Sequence, residues 1–270
     1  MTFEPLALDD AFLVVMTGAG VSAESGVPTF RDANGLWEQH PVEEVASPEG
    51  FARDPLLVWR FYSQRRAKRL SCEPNPGHHA IADVERLLGD RFLLLTQNVD
   101  GLHGRAGSKR MVELHGNLFT TRCSNPHCET APFSDERCWV TEETPDPPEA
   151  GRKNATPGRK NATSELPRCD RCRSLLRPHI VWFGESLDPR SCDVYASFLN
   201  RASSSPCKLI YLACGTSGLV QPAAGLVHAA RRAGAHTVLV NLERPENIAH
   251  FDRVELGRSG EILPRLFTRA

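Results

Sequence analysis

Four short apolar runs, Phe12–Met16, Phe92–Thr96, Leu209–Ala213 and Thr237–Val240, set the terms on which this chain can fold. Each is nearly continuous in apolar side chains, as a strand covered on both faces must be. Helical patterns lie between them, at His78–Leu88 and at Pro222–Arg232, the second closed by Gly234. Strands and helices in alternation predict an α/β fold with a parallel sheet. Each run ends in small or polar residues: TGAGVSAESG, QNVDGLHG, CGTSG and NLE. Ligands of open α/β sheets bind beyond the carboxyl ends of the strands, so four such edges predict one crevice.

The first edge carries the most specific signal. Gly18-Ala19-Gly20-Val21-Ser22-Ala23 fits G-x-G-x-x-G/A directly after a strand. Glycines there let backbone N–H groups approach a pyrophosphate, with a helix N-terminus adding a favourable dipole. A dehydrogenase would continue to a second strand with an acidic residue about 20 positions on. Here ESGVPTFRDANGLWEQH follows, and Glu38 has no strand pattern to carry it. A nucleotide held beneath a long loop points away from simple hydride transfer and towards chemistry on the cofactor itself.

Residues 120–180 break the alternation. Cys123-x4-Cys128 and Cys169-x2-Cys172 are spaced for a tetrahedral zinc site, closed and therefore structural. Reduced structural cysteines are the competing reading. His127 is a weaker substitute ligand, and Cys72, Cys138, Cys192, Cys207 and Cys214 are bystanders. GRKNAT occurs twice, at 151–156 and 158–163, within Pro-, Glu- and Thr-rich sequence that reads as a flexible expansion.

The chain has 270 residues, 40% of them hydrophobic, enough for a large core and a small insert. A net charge of -1 argues against a general nucleic-acid binder, so the basic stretch RFYSQRRAKR at 60–69 is a local feature. The N-terminal MTFEPLALDDAFLVVMTGAG has no basic leader and too short an apolar run for a signal peptide or a span. The expectation is a soluble, cytoplasmic protein with neither membrane nor nucleic-acid partners. Nine cysteines in that setting suggest metal ligands and free thiols rather than disulfides. The Asn154 and Asn161 sequons would matter only in a secreted protein.

In order along residues 12–267, TGAGVSAESGVPTFRDANGLW, PNPGHHAI, LLTQNVDGLHGRAG, ELHGNL, the two cysteine pairs, RPHIVWFGE, GTSGLVQPAA and NLE resemble the sirtuin family. The resemblance implies an NAD-dependent protein-lysine deacylase with acylated-lysine proteins or peptides as partners, working as a monomer. It implies a Rossmann-like domain at 1–119 and 181–270. A zinc-binding insert would span 120–180, with a flexible loop at about 141–166, and the small domain would also draw on a helical segment at about 35–75. In such enzymes the acyl oxygen attacks the nicotinamide ribose, nicotinamide leaves, and a histidine deprotonates the ribose. The products are free lysine, nicotinamide and O-acyl-ADP-ribose.

Residue by residue, the resemblance makes His115 of ELHGNL the catalytic base, with Asn98 beside it. Gln97, Asn98 and Asp100 would hold the nicotinamide end and its ribose. Gly18, Ala19, Gly20, Ala23, Glu24, Pro28, Phe30, Arg31 and Trp37 fall in the first cofactor motif, Phe30 and Arg31 on its mobile loop. Gly215, Thr216 and Ser217 would meet phosphate and ribose, Asn241 and Glu243 the adenosine end, and Ser259 the adenine edge. The peptide would add as a strand beside Gly184 and Glu185 of VWFGE, with Val181 and Phe183 lining the acyl-lysine tunnel. Two departures stand out: C-x4-C where C-x2-C is usual, and Gln221 where tyrosine is common.

Asp54-Pro55 is a good helix start, and the helix runs on through LLVWRFYSQRRAKRL. Tyr62 and Arg65, three apart, share a face; Arg66, Lys68 and Arg69 fall on other faces and are expected in solvent. The Tyr-x-x-Arg pair resembles class III sirtuins, which remove succinyl, malonyl and glutaryl groups. It implies that Tyr62 and Arg65 read an acyl chain ending in a carboxylate; the plainer alternative is a surface arginine beside a core tyrosine. Two other functions remain open: a mono-ADP-ribosyltransferase using the same cofactor, and a non-catalytic NAD sensor or zinc-based binding module.

Overall fold

A computed structural model describes residues 4–28, 36–37, 40–140, 166–245 and 247–268. Phe30, Arg31, Glu38, the doubled GRKNAT and nearly all of the 141–166 loop lie outside them, as does the side chain of Trp37. In chain order the strands are Ala11–Thr17 (β1), Leu36–Trp37 (β2), His40–Pro41 (β3), Phe92–Thr96 (β4), Met111–Glu113 (β5), Gly116–Cys123 (β6), Phe133–Ser134 (β7), Leu176–Ile180 (β8), Lys208–Cys214 (β9), His236–Asn241 (β10) and Arg253–Leu256 (β11). The chain forms two compact units: Met1–Phe30, Cys72–His115 and Leu187–Ala270 make the first, Arg31–Ser71 and Gly116–Ser186 the second.

The first unit is built on a parallel sheet in the order β11-β10-β9-β1-β4-β5. All four apolar runs lie in it, and both faces are covered. Leu13 and Val15 of β1 pack with Ile81 and Val84 of the Pro76–Leu88 helix and with Leu263 and Leu266 of the Ser259–Leu266 helix. Phe12, Val14 and Met16 belong to the other layer, with Phe198 and Leu199 of the Pro189–Ser203 helix and Val227 of the Leu226–Arg232 helix. That two-sided burial is why the runs lack the polar alternation of a half-exposed strand. The helix expected from Pro222 begins only at Leu226, after a tight turn at Ala223–Gly225. From β1 the chain builds β4 and β5 on one side and β9, β10 and β11 on the other, so the order reverses between β1 and β9. A crevice opens at such a reversal, beyond the carboxyl ends of the two central strands.

In the second unit β6 pairs antiparallel with β7 and β8. The Pro55–Leu70 helix starts as expected: Asp54 Oδ1 accepts from Leu57 N–H at 3.0 Å, with proline at the first position. Beyond it the expectation of solvated arginines fails. Lys68 is exposed, but Arg66 is 0% and Arg69 2% exposed. Arg66 and Arg69 stand four and seven positions after Tyr62, so they share its side of the helix rather than other faces, and all three are buried together. Arg66 donates to Leu118 O (2.8 Å), Arg137 O (2.8 Å), Thr121 Oγ1 (2.9 Å) and Asp135 Oδ2 (3.2 Å). Asp135 also accepts from Arg137 Nε (2.6 Å), Trp139 Nε1 (2.9 Å) and Thr121 Oγ1 (2.8 Å). Burial would raise the Asp135 carboxyl, but the bonds from Arg137, Trp139 and Thr121 and the Arg66 charge hold it far below the usual carboxylate range. No helix among the described residues is long and apolar enough to cross a membrane.

Removing Arg66 takes one of two cations from Asp135, Arg137 remaining at 2.6 Å, and leaves Leu118 O, Arg137 O and Thr121 Oγ1 without its donors. Arg66→Met should therefore destabilise the protein by about 1–3 kcal/mol at neutral pH, read as a lower urea midpoint. Because the folded Asp135 pKa is depressed, its contribution is present above its unfolded value of about 4 and lost as pH falls below it, so the variant's deficit should shrink in acid.

Candidate active site

The crevice end of the first unit is built on backbone crowding. Gly18 N–H donates to Cys214 O at 3.0 Å and Gly20 N–H to Gly215 O at 2.8 Å. A Cβ on Gly20 would lie 2.7 Å from Gly215 Cα, and one on Gly215, whose φ is +61°, 2.3 Å from Val21 N. The first task of Gly18 and Gly20 is thus to let the loops after β1 and β9 touch, not to offer their own N–H groups to a phosphate. Ala19 is half-buried beside them, while Ala23 and Pro28 are exposed. Glu24 closes the N-terminus of the Ser259–Leu266 helix: its Oε2 accepts from Gly260 N–H (2.8 Å) and Ser259 Oγ (3.2 Å).

Three further strand ends are tied together. Gln97, after β4, donates through Nε2 to Thr216 Oγ1 at 3.1 Å, and Asn241, ending β10, donates through Nδ2 to Thr216 O at 3.2 Å. Ser217 and Glu243 are exposed. Beneath them lies a buried network that sequence reasoning missed. Ser22 Oγ donates to Asp100 Oδ2 at 2.7 Å and accepts from Asn98 Nδ2 at 3.1 Å. It also meets His78 Nε2 at 3.3 Å, and His78 Nδ1 accepts from Asn75 N–H at 3.3 Å. The neutral ring therefore carries its proton on Nε2 and donates to Ser22. Asp100 Oδ1 accepts from Leu102 N–H at 2.9 Å, which fixes the carboxylate at both oxygens. His103 Nε2 lies 2.9 Å from Thr17 Oγ1, which donates to Thr96 Oγ1 at 2.8 Å. Burial pushes His78 down to about 4 and His103 down to about 3, so both are neutral near pH 7. Both histidines stand inside motifs visible in the sequence, but no spacing rule joins positions 22, 78 and 103.

His115 is half-buried at the end of the first unit. Its Nδ1 lies 3.1 Å from Gln97 O. A carbonyl oxygen only accepts, so Nδ1 carries the proton and Nε2 keeps a bare lone pair. Burial lowers its pKa below the ordinary histidine value, and the bond to Gln97 O opposes this in part. In this tautomer and charge state Nε2 is able to accept a proton.

In the second unit Tyr62 and Arg65 are both buried, at 0% and 5% exposure, with the Arg65 guanidinium over the Phe61 ring at 5.3 Å. Val181 is half-buried and Phe183 is 53% exposed. Gly184 takes a left-handed φ of +86°. Glu185, expected at the peptide strand, is engaged internally: it accepts from Arg177 (2.7 and 2.9 Å), Arg122 (3.2 Å) and Trp182 N–H (2.8 Å). These contacts fix the VWFGE turn.

Cys123, Cys128, Cys169 and Cys172 place their sulfurs within 4.8 Å of one another, and Cys123–Cys172 and Cys128–Cys169 approach to 3.4 and 3.7 Å. A disulfide would need about 2.05 Å. Tetrahedral zinc with bonds of about 2.3 Å sets its sulfurs about 3.8 Å apart, which this arrangement fits. All four positions would be filled by sulfur, leaving none for a reacting water. His127 is exposed and outside the group.

The description of the Sir2 family matches residues 18–222. The chain belongs to the Sir2 family. A relative from Thermococcus kodakarensis, named NAD-dependent protein deacylase, is 42% identical over 258 residues, covering 96% of this chain and 90% of its own. Among solved Sir2 structures, a Sir2 homologue in complex with NAD is 39% identical, with TM-score 0.75 and 94% and 87% of the two chains covered. A complex of Sir2 with a p53 peptide and NAD+ is 30% identical, with TM-score 0.71 and coverage of 94% and 91%. The Sir2 fold of the first unit is thus the parallel sheet and crevice described above, and the small unit carries the four cysteines.

Two outcomes are expected. With His115 as the base, the acid limb of kcat/KM should report an apparent pKa below the ordinary histidine value of about 6.5, because its pKa is depressed; a limb at or above that value would exclude it from the role. Purified protein should carry a single zinc per chain by atomic absorption, and stripping it with a chelator should lower the thermal midpoint; a metal-free chain with unchanged stability would contradict the site.

Proposed function

We propose that this chain is an NAD-dependent protein-lysine deacylase with a preference for acyl groups that end in a carboxylate. The carrying observation for the reaction is His115, whose Nδ1 is engaged by Gln97 O within a Sir2-family chain, leaving Nε2 to accept a proton. NAD supplies the ribose that takes up the acyl group. His115 Nε2 receives the proton of a ribose hydroxyl. Asn98, held by Ser22 through one amide hydrogen, keeps its Oδ1 and second hydrogen for a carboxamide or hydroxyl. Asp100 fixes Ser22 and, through it, Asn98. Thr216 and Asn241 hold the loop after β9 against the end of β10. Partners are acylated-lysine proteins or peptides, and the chain acts as a cytoplasmic monomer.

The carboxylate preference is supported by Tyr62 and Arg65, buried one helical turn apart. The Arg65 charge is the largest influence opposing burial at the Tyr62 phenol, which is pushed up to about 12 and stays protonated. A guanidinium and a phenol hydrogen make a matched pair for a carboxylate. A short neutral acyl group ends in a methyl, makes no charge-assisted bond to either group and so gains less from the site.

Mass spectrometry of one peptide carrying acetyl-, succinyl-, malonyl- or glutaryl-lysine, with and without NAD, tests the proposal. Acidic acyl groups should be removed faster, only with NAD, and with release of O-acyl-ADP-ribose. ADP-ribose left on protein would favour the transferase instead. Arg65→Met should lower desuccinylation relative to deacetylation by about 10- to 100-fold; equal loss of both would refute the role of Arg65.

A further inference from the structure

Trp182 stands between Val181 and Phe183, yet its side chain is only 2% exposed. Its indole Nε1–H donates to the Tyr62 oxygen at 2.9 Å. An indole nitrogen only donates, so the direction of this bond is fixed. Among the described residues Trp182 is the one hydrogen-bond partner of the Tyr62 hydroxyl, and the phenol that accepts from it keeps its own hydrogen to give elsewhere. The indole is held in turn. The Arg177 guanidinium lies 3.3 Å from its ring centroid, and Phe51 packs at 5.4 Å. Glu185 grips Arg177 at 2.7 and 2.9 Å and accepts the Trp182 backbone N–H at 2.8 Å, so one carboxylate ties both the ring and the main chain of Trp182.

We infer that Trp182 is a positioning residue for acidic-acyl selectivity: it occupies a lone pair of the Tyr62 oxygen and turns the phenol hydrogen towards a substrate carboxylate. This rests on the acidic-acyl reading above. The device matters for a substrate that brings an acceptor, and an acetyl methyl brings none. Glu185 and Arg177 then have a purpose beyond shaping their turn, since they hold the indole at the angle the phenol needs.

The test is steady-state kinetics on succinyl- and acetyl-lysine peptides with the full chain and with Trp182→Phe, Tyr62→Phe and the double variant. Trp182→Phe keeps an aromatic ring beside Arg177 and removes the N–H together with part of the indole, which is why the succinyl-to-acetyl ratio rather than either rate alone is the readout. The succinyl-to-acetyl ratio of kcat/KM should fall about tenfold, through KM for the succinyl peptide, as for loss of a bond to a charged group. Tyr62→Phe should lower the ratio at least as much, and the double variant should be no worse than Tyr62→Phe. An equal fall in both activities for Trp182→Phe, or a full additional loss in the Tyr62→Phe background, would overturn the inference. If Trp182→Phe does not fold, Tyr62→Phe decides, and an unchanged ratio overturns it. Arg65→Met separates the two claims. A preference absent from the parent chain, or kept by Arg65→Met, defeats the acidic-acyl reading and this inference with it; one lost in Arg65→Met and kept in Trp182→Phe defeats the inference alone.

Discussion

Backbone touching backbone at Gly18, Gly20 and Gly215 is the constraint on which the first unit's crevice depends. β1 and β9 are neighbours in the sheet, so the loops that leave them emerge side by side. They interlock because neither carries a Cβ at the crossing, and the positive φ of Gly215 adds a second reason for glycine there. The crossing fixes where Thr216 lies, and Thr216 in turn receives Gln97 and Asn241. It also launches the short turn that carries Ser22 down to Asp100 and His78. A side chain at any of the three positions would disturb groups several bonds away from it.

Both units fix their polar groups by the same physical means, a carboxylate whose oxygens are already taken. Asp100 is held between Ser22 and Leu102 N–H, Asp135 among Arg66, Arg137, Trp139 and Thr121, and Glu185 among Arg177, Arg122 and Trp182. A buried acceptor saturated in this way cannot wander to other partners, and it transmits its own rigidity to the donors around it. Among the described residues, Asn98, His115 Nε2 and the Tyr62 hydroxyl keep hydrogen-bonding capacity beside such a fixed group or a main-chain carbonyl.

What could be read from the sequence follows from which interactions are local. The four central strands were legible because burial on both faces demands near-continuous apolar residues. β5 and β11, half-buried at the sheet edges, carry no such run and were not found, nor was the Pro189–Ser203 helix. The cysteine pairs announced themselves by spacing. Arg66 and Arg69 did not: their spacing from Tyr62 sets them on its side of the helix, but their charge points to solvent, and spacing alone does not name the distant acceptors that let a guanidinium be buried. Ser22, His78 and His103 meet only through the fold, with 56 positions between the first two in contact. Trp182 was passed over between two assigned neighbours, since alternation along an extended segment gives no sign that an indole will turn inward to a tyrosine 120 positions away.

The division of the chain also has a consequence for how the molecule comes into being. The second unit is complete once Ser186 has left the ribosome. The first is not: β1 is made before both of its neighbours, pairs with β4 at residues 92–96, and waits until residues 208–214 for the strand on its other side. During that interval Val14 and Met16, destined for the interior, lack the β9 edge and the helix face that will cover them. The earliest-made strand of this sheet is among the last to be fully enclosed, which makes the nascent first unit, rather than the cysteine-bearing one, the part more exposed to misassociation during synthesis.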